Sequence, residues 1–201
     1  MKSIMSTDWN DCYAKKETPW EKGQATPVLE EMWAKQQPLF TGRVFVPGCG
    51  IGHDARWLAD RGLTVTGGDI APLALEAARD WDRQSTASFK MVDVLSPPAD
   101  LLGYFDGVWE HTCLCALAPE LRNAYIKGLH TVLKSGGRVA GVFFINPEMD
   151  EGEEGPPFGI SVEELKTLWE SHGFTVHEHW VPTTGYEGRV GRELAMILSK
   201  N

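Results

Sequence analysis

At 201 residues the chain has the length of one domain and can bury a core without disulfides or a structural metal. A net charge of −9 disfavours a role in gripping nucleic acid or an anionic membrane. The four cysteines, Cys12, Cys49, Cys113 and Cys115, have neither the CxxC nor the Cys/His spacing of a zinc site, and no metal is expected.

The opening MKSIMSTDWNDC lacks the apolar core of a signal peptide, and no window reaches membrane-spanning length. The expectation is a reduced, cytoplasmic protein; its oligomeric state is open, with a monomer the simpler case. Residues 1–41 precede any strand pattern and carry Trp9, Trp20 and Trp33 in polar sequence.

From Gly42 the chain alternates between two periods. RVFVP, Arg43–Pro47, is short, apolar and β-branched, and ends in a glycine turn. Gly52–Arg61 has Ala55, Leu58 and Ala59 at helical spacing, with Gly62 as a stop. LTVTGGD, Leu63–Asp69, is a second strand, and Ala71–Arg83 a helix with Pro72 in its first turn. Ser88–Val94 and Tyr104–Glu110 are further strands, and Pro119–Leu133 a long amphipathic helix closed by SerGlyGly.

Arg138–Ile145 reads as a buried strand. PEMDEGEEGPPF, Pro147–Phe158, has the acidity and the Gly and Pro content of a solvated or disordered loop. Val162–His172 is a helix with a possible capping box from Ser161 to Glu164. Phe174–Val181 and Leu194–Ser199 close the pattern. Alternating strands and helices predict an α/β fold: a mostly parallel sheet with helices on both faces. Cys113 and Cys115 would share one face of a strand and read as small buried hydrophobes.

The glycine turn, VPGCGIGHD, separates two cofactor classes. Gly48, Gly50 and Gly52 allow a sharp turn and close backbone approach to a ligand. A dinucleotide turn has its third glycine one place later, where this chain has His53. A pyrophosphate therefore fits less well than S-adenosylmethionine, whose carboxylate and ammonium can meet the turn. Asp69, ending the second strand 17 residues beyond Gly52, can accept both ribose hydroxyls. Asp93, ending the third, can take the adenine amino group with the Val94 backbone beside it. His53 and Asp54 read as helix N-terminal residues, since neither shows a partner in sequence.

These residues lie in VPGCGIGHDARWLADRGLTVTGGDIAPLALEAA, which resembles the thiopurine methyltransferase superfamily and, within it, the halide/thiol methyltransferases. The likeness extends through WNDCYAKKETPWEKGQATP, FDGVWEHTCLCALAPELR, GGRVAGVFF and GPPFGIS, and so over nearly the whole chain. It implies a class I methyltransferase: a Rossmann-like seven-stranded sheet as a single domain, with 1–41 as an N-terminal lid and 42–201 as the core. It also implies that Trp9, Tyr13 and Trp20 line the methionine end of S-adenosylmethionine and the substrate pocket. Gly48, Gly50, Gly52, Asp69, Ile70, Asp93, Val94 and His111 join them as cofactor contacts. Relatives often have Trp at the place of Tyr13, Tyr or another polar residue at that of His111, and, in plants, Tyr at that of Phe158. Trp9, Tyr13, His111 and Phe158 are expected to position the substrate.

Methyl transfer from a sulfonium is an in-line displacement in which positioning and desolvation can supply most of the rate. A soft anion such as bisulfide, thiolate, iodide or thiocyanate needs no general base, which suits a sequence without an obvious acid–base pair. The partner is therefore expected to be a small molecule or small anion. A larger thiol, a thiopurine or a metalloid oxyanion is the alternative acceptor. A non-catalytic S-adenosylmethionine-binding module and an NAD(P) oxidoreductase are the alternatives from other classes.

Overall fold

The computed structural model describes residues 7–82, 84–149 and 155–201. The first six residues, Arg83 and the acidic centre of the 147–158 loop lie outside it, so the expectations placed there concern positions beyond the described residues.

Two helices precede the sheet: α1 (Trp9–Lys15) and α2 (Pro27–Lys35). The strands β1 (Arg43–Pro47), β2 (Thr64–Asp69), β3 (Ser88–Met91), β4 (Phe105–His111), β5 (Leu133–Phe144), β6 (Phe174–Trp180) and β7 (Glu193–Lys200) form one seven-stranded sheet. Between them run α3 (His53–Ala59), α4 (Pro72–Trp81), α5 (Arg122–Val132) and α6 (Val162–Glu170). The strand order is β3-β2-β1-β4-β5-β7-β6, with β7 antiparallel to both its neighbours. The expected α/β class is therefore present. The order reverses between β1 and β4, and in open parallel sheets a ligand crevice forms at such a reversal, beyond the carboxyl ends of the strands.

One apolar cluster, with Phe105, Tyr125, Leu129, Phe143 and Trp169, sits under α5 and α6. The other, with Leu29, Met32, Leu58, Leu75 and Trp109, sits under α2, α3 and α4. Helix α6 starts with both halves of its capping box: Glu164 N–H donates to Ser161 Oγ, and Ser161 N–H to Glu164 Oε2.

Of the boundaries that differ from the sequence reading, three bear on the strands around the site. Helix α5 ends at Val132, and SerGlyGly lies inside β5 rather than closing the helix. Leu133 already pairs with Phe105, Lys134 binds Asp106, and the ladder resumes at Gly107 with Arg138 after an irregularity. Strand β3 stops at Met91, so Asp93 lies past its end. Strand β4 runs one residue further than read, making His111 its last member, paired with Val142.

The leader is two structures. Helix α1 buries no residue, whereas Val28, Leu29 and Met32 of α2 have no exposure at all. Glu31 ties α2 to the far edge of the sheet, accepting from Trp180 Nε1 at 3.1 Å and from the Thr183 and Thr184 N–H groups at 3.0 and 2.9 Å. Residues 26–41 thus belong with the core, and only the segment before them lies over the crevice as a cover. Cys113 and Cys115 are buried as expected, but in a short 3-10 turn after β4 rather than on a strand.

Candidate active site

A cavity of about 370 Å³ opens at the strand-order reversal, between the turn after β1 and the end of β4. Its floor on one side is the glycine turn. Gly50 holds φ +53°, and a Cβ there would lie 2.9 Å from the Tyr13 hydroxyl, so only glycine lets α1 come down on the turn. Gly48 also lines the cavity, but Gly52 does not. Gly52 instead leaves room for the Phe89 ring, 2.4 Å from where its Cβ would stand.

Asp69 closes β2 beneath this turn. Its Oδ2 accepts from Gly50 N–H and its Oδ1 from Ala71 N–H, both at 2.9 Å. Burial raises its carboxyl above the ordinary aspartate value, and the N–H donors of Ala71, Gly50 and Ile70 oppose the rise. These donors leave at least one lone-pair direction of the carboxylate open to a ribose hydroxyl. Asp93, Val94 and Ile70 continue the same wall. Asp93 is exposed and also accepts from Leu95 N–H at 2.9 Å. Ile70 is 52% exposed beside nearly buried Val94, an apolar surface that a flat base would cover. The residues present fit S-adenosylmethionine: a Cβ-free cradle, a carboxylate with an open acceptor direction and an open apolar slot.

Trp9, Tyr13 and Trp20 come together over the cavity as an aromatic cap. Trp9 and Trp20 meet edge to face at 5.3 Å, and Trp20 Nε1 donates to the Tyr13 hydroxyl at 3.2 Å. Helix α1 is held down by Asn10, whose Oδ1 accepts from Leu73 N–H of α4 at 3.0 Å. Burial pushes the Tyr13 phenol up, so it is neutral at any physiological pH.

The opposite wall is built from segments far apart in sequence. His111 stands at the end of β4, and its Nδ1 lies 2.9 Å from Asp54 Oδ2. Asp54 also accepts from Trp109 Nε1 at 2.8 Å and, through Oδ1, from Thr26 N–H at 2.9 Å. Burial alone would raise its carboxyl; His111, Trp109 and Thr26 together bring it below the ordinary aspartate value. Asp54 is thus a partner of His111 rather than only a residue of a helix's first turn. Nothing in sequence announces a pairing across this separation. His53 also faces the cavity, 3.4 Å from Glu21.

Phe144, Tyr186, Arg189, Pro156 and Pro157 complete this wall. Arg189 lies over the Phe144 ring at 4.8 Å and pairs with buried Glu193 at 3.4 Å. Phe158, expected to position the substrate, is not on the wall. Its N–H donates to Cys115 O at 2.7 Å and its ring packs on Gly155, which brings Pro156 and Pro157 to the cavity instead. Tyr186 and Arg189 were missed in sequence because the connection between β6 and β7 has no motif; an Arg beside a Tyr in a Gly-rich loop was the only signal.

Behind the wall, Glu110 is fully buried and accepts from the N–H groups of Cys113 and Leu114 at 3.1 and 2.8 Å and from the Tyr125 hydroxyl at 3.2 Å. Burial lifts its carboxyl from 4.5 to about 7 against these donors. Burial also raises the thiols of Cys49, Cys113 and Cys115, so none is a thiolate at neutral pH. Among the described residues no group of His, Cys, Asp and Glu could hold a metal ion, and no helix is long and apolar enough to cross a membrane.

The thiopurine S-methyltransferase (TPMT) family model matches residues 4–182. The chain is 30% identical to thiocyanate methyltransferase 1 of Arabidopsis thaliana, over 95% of this chain and 86% of that protein. It is 32% identical to a probable thiol methyltransferase 2 of the same plant, over 87% and 76%. In fold it is similar to a magnesium protoporphyrin IX methyltransferase of Synechocystis solved with S-adenosylhomocysteine bound, with a TM-score of 0.71 and 16% identity over 96% of this chain and 97% of that one. The glycine cradle and its carboxylate, the strand order and these likenesses agree: the chain belongs to the thiopurine S-methyltransferase (TPMT) family and is an S-adenosylmethionine-dependent methyltransferase.

Proposed function

We propose that the enzyme methylates a small soft nucleophile, a thiol or bisulfide, a halide or thiocyanate, by direct in-line displacement. When bound, the cofactor supplies a methyl group activated on a sulfonium. The observation that carries the reading is the make-up of the wall facing the cofactor side: Phe144, Tyr186, Pro156 and Pro157 form a mainly aromatic and apolar lining. Such a lining strips water from a weakly hydrated acceptor at little cost, and removing that water raises the acceptor's reactivity. Arg189 adds a cation at the edge, already paired with Glu193, so the wall tolerates an anion without demanding one.

The two plant relatives named for thiocyanate and for a thiol support the same acceptor class. The family description names thiopurines, which keeps a larger aromatic thiol as the second reading. The reading includes a cytoplasmic monomer with small-molecule partners, and the net charge of −9 supports the absence of nucleic acid among them.

Headspace gas chromatography of the enzyme with S-adenosylmethionine and a panel of iodide, thiocyanate, bisulfide and small thiols tests the proposal. At least one volatile methylated product is expected. A silent panel with turnover of a thiopurine would replace the first reading by the second.

A further inference from the structure

We infer that His111, oriented by Asp54, is the proton acceptor for thiol substrates, so that the site takes up a neutral thiol and does not depend on thiolate formed in solution. The inference rests on the methyltransferase reading above and adds a role for two residues that it leaves unused.

The tautomer follows from the partners of Asp54. Thr26 N–H and Trp109 Nε1 can only donate, so the carboxylate accepts from both. Its low carboxyl keeps it ionised, and the third contact, at 2.9 Å, therefore places the ring proton on His111 Nδ1. The lone pair of the neutral imidazole is then on Nε2. That atom is buried and has no hydrogen-bond partner among the described residues. Buried polar atoms are rarely left so, and His111 lines the cavity. A thiol S–H that reaches the atom as the substrate seats against this wall supplies the missing donor.

Position supports the same role. Asp69 and Asp93 would hold the nucleoside end of the cofactor on the β2 and β3 side of the strand-order reversal, which leaves the β4 side, where His111 ends its strand, for the transferable methyl group. The other titratable groups around the ring do not compete. Glu110, on its own strand, is turned to Cys113, Leu114 and Tyr125. Tyr186, its ring 5.9 Å from that of His111, is kept neutral by burial, and Arg189 lies over Tyr186. On the α3 and leader side, His53 and Glu21 face each other. Asp54 is the one charge in direct contact with the imidazole among the described residues, and it fixes the ring's orientation.

In the step, the S–H proton moves to Nε2 to leave a thiolate beside an imidazolium, and the sulfur's electron pair then forms the bond to the methyl carbon. The bond from that carbon to the sulfonium breaks and leaves its pair on the departing sulfur, giving a thioether, S-adenosylhomocysteine and an imidazolium that returns its proton to solvent. A simple alkyl thiol is mostly protonated at neutral pH, so an acceptor for its proton in the site makes the sulfur a nucleophile there.

The test uses the dead-end complex of the enzyme with S-adenosylhomocysteine and β-mercaptoethanol, read by the near-ultraviolet absorbance of thiolate against pH. Thiolate is expected in the wild-type complex at least about one pH unit below the free thiol's own ionisation, shifted upward in Asp54→Asn and absent in His111→Gln. Thiolate appearing only with the free thiol's profile in the wild-type complex overturns the inference without need of a variant. In turnover, His111→Gln should slow β-mercaptoethanol about 10²-fold more than iodide, the usual scale of a lost general base. Equal slowing of both acceptors makes His111 a positioning residue and overturns the inference. A wild-type enzyme that methylates neither acceptor overturns the proposed function instead, while the thiolate spectrum still decides the role of His111.

Discussion

The two walls of the cavity are built by different means. The wall we assign to the cofactor is made largely of backbone and of residues near one another in sequence: Gly48, Gly50 and Asp69 belong to one strand–turn–helix–strand unit, and Asp69 is fastened to the turn by Gly50 N–H. The wall we assign to the acceptor is assembled from separate segments: Asp54 from α3, His111 from β4, Phe144 from β5, and Tyr186 and Arg189 from the connection between β6 and β7. A wall of backbone serves a cofactor common to many enzymes. A wall of side chains from separate loops can change its acceptor without disturbing the cofactor, because loop residues vary at little cost to the core.

The most drastic way to break the acceptor wall is Asp54→Ala. It leaves Thr26 N–H, Trp109 Nε1 and His111 Nδ1 without their shared acceptor, and is expected to cost about 3–5 kcal/mol of stability, the scale for breaking one side of a buried charged cluster. Urea midpoints measure the loss; a change within about 0.5 kcal/mol would show that the cluster is not under tension from burial.

Glu110, behind the same wall, gives a pH signature. Its folded pKa is raised from 4.5 to about 7, so the folded state holds the proton more tightly than the unfolded one. The stability it contributes is complete below about pH 4.5 and is lost as pH rises through about 7. Relative to Glu110→Gln, the wild type should lose about 3 kcal/mol between pH 4.5 and 7, in paired denaturation curves. Parallel curves would place the proton elsewhere.

The cofactor wall is broken by Asp69→Ala, expected to weaken S-adenosylhomocysteine binding by about 2–3 kcal/mol through loss of charged hydrogen bonds. Calorimetric titration with unchanged affinity would remove Asp69 from the site. The comparison is sharpened if Glu110→Gln leaves that affinity within about threefold, a difference under about 1 kcal/mol.

The smallest effect separates the two parts of the leader. Cleavage by a protease should fall before residue 26 in the free protein and slow when S-adenosylhomocysteine is added, while α2 stays protected by its buried Val28, Leu29 and Met32. Equal rates with and without ligand would make the aromatic cap a fixed feature rather than one ordered by the cofactor.

Much of this is legible in the sequence. Binary periodicity placed the strands and helices because a side chain's period is set by its own backbone. The glycine turn and Asp69 could be found because they act within one supersecondary unit. The leader misled because α2 is short and mixed in composition. Its burial comes from α3, through the Trp33–Trp57 contact at 5.7 Å, and from Glu31 reaching the β6–β7 connection. SerGlyGly misled because a helix stop and a strand irregularity use the same residues, and the choice was made by Leu133 pairing with Phe105.

The sequence by itself determined the fold class, the glycine turn and the carboxylate that ends β2, since each depends on local backbone geometry and short spacing. Only the tertiary structure decided that Asp54 and His111 are a pair, that Phe158 stands aside while Pro156 and Pro157 face the cavity, and that Tyr186 and Arg189 complete it. These depend on crossovers that bring distant strand ends together at the reversal between β1 and β4. A hydrogen bond acts only within about 3 Å, so which partners come within reach is set by packing and not by position in the chain.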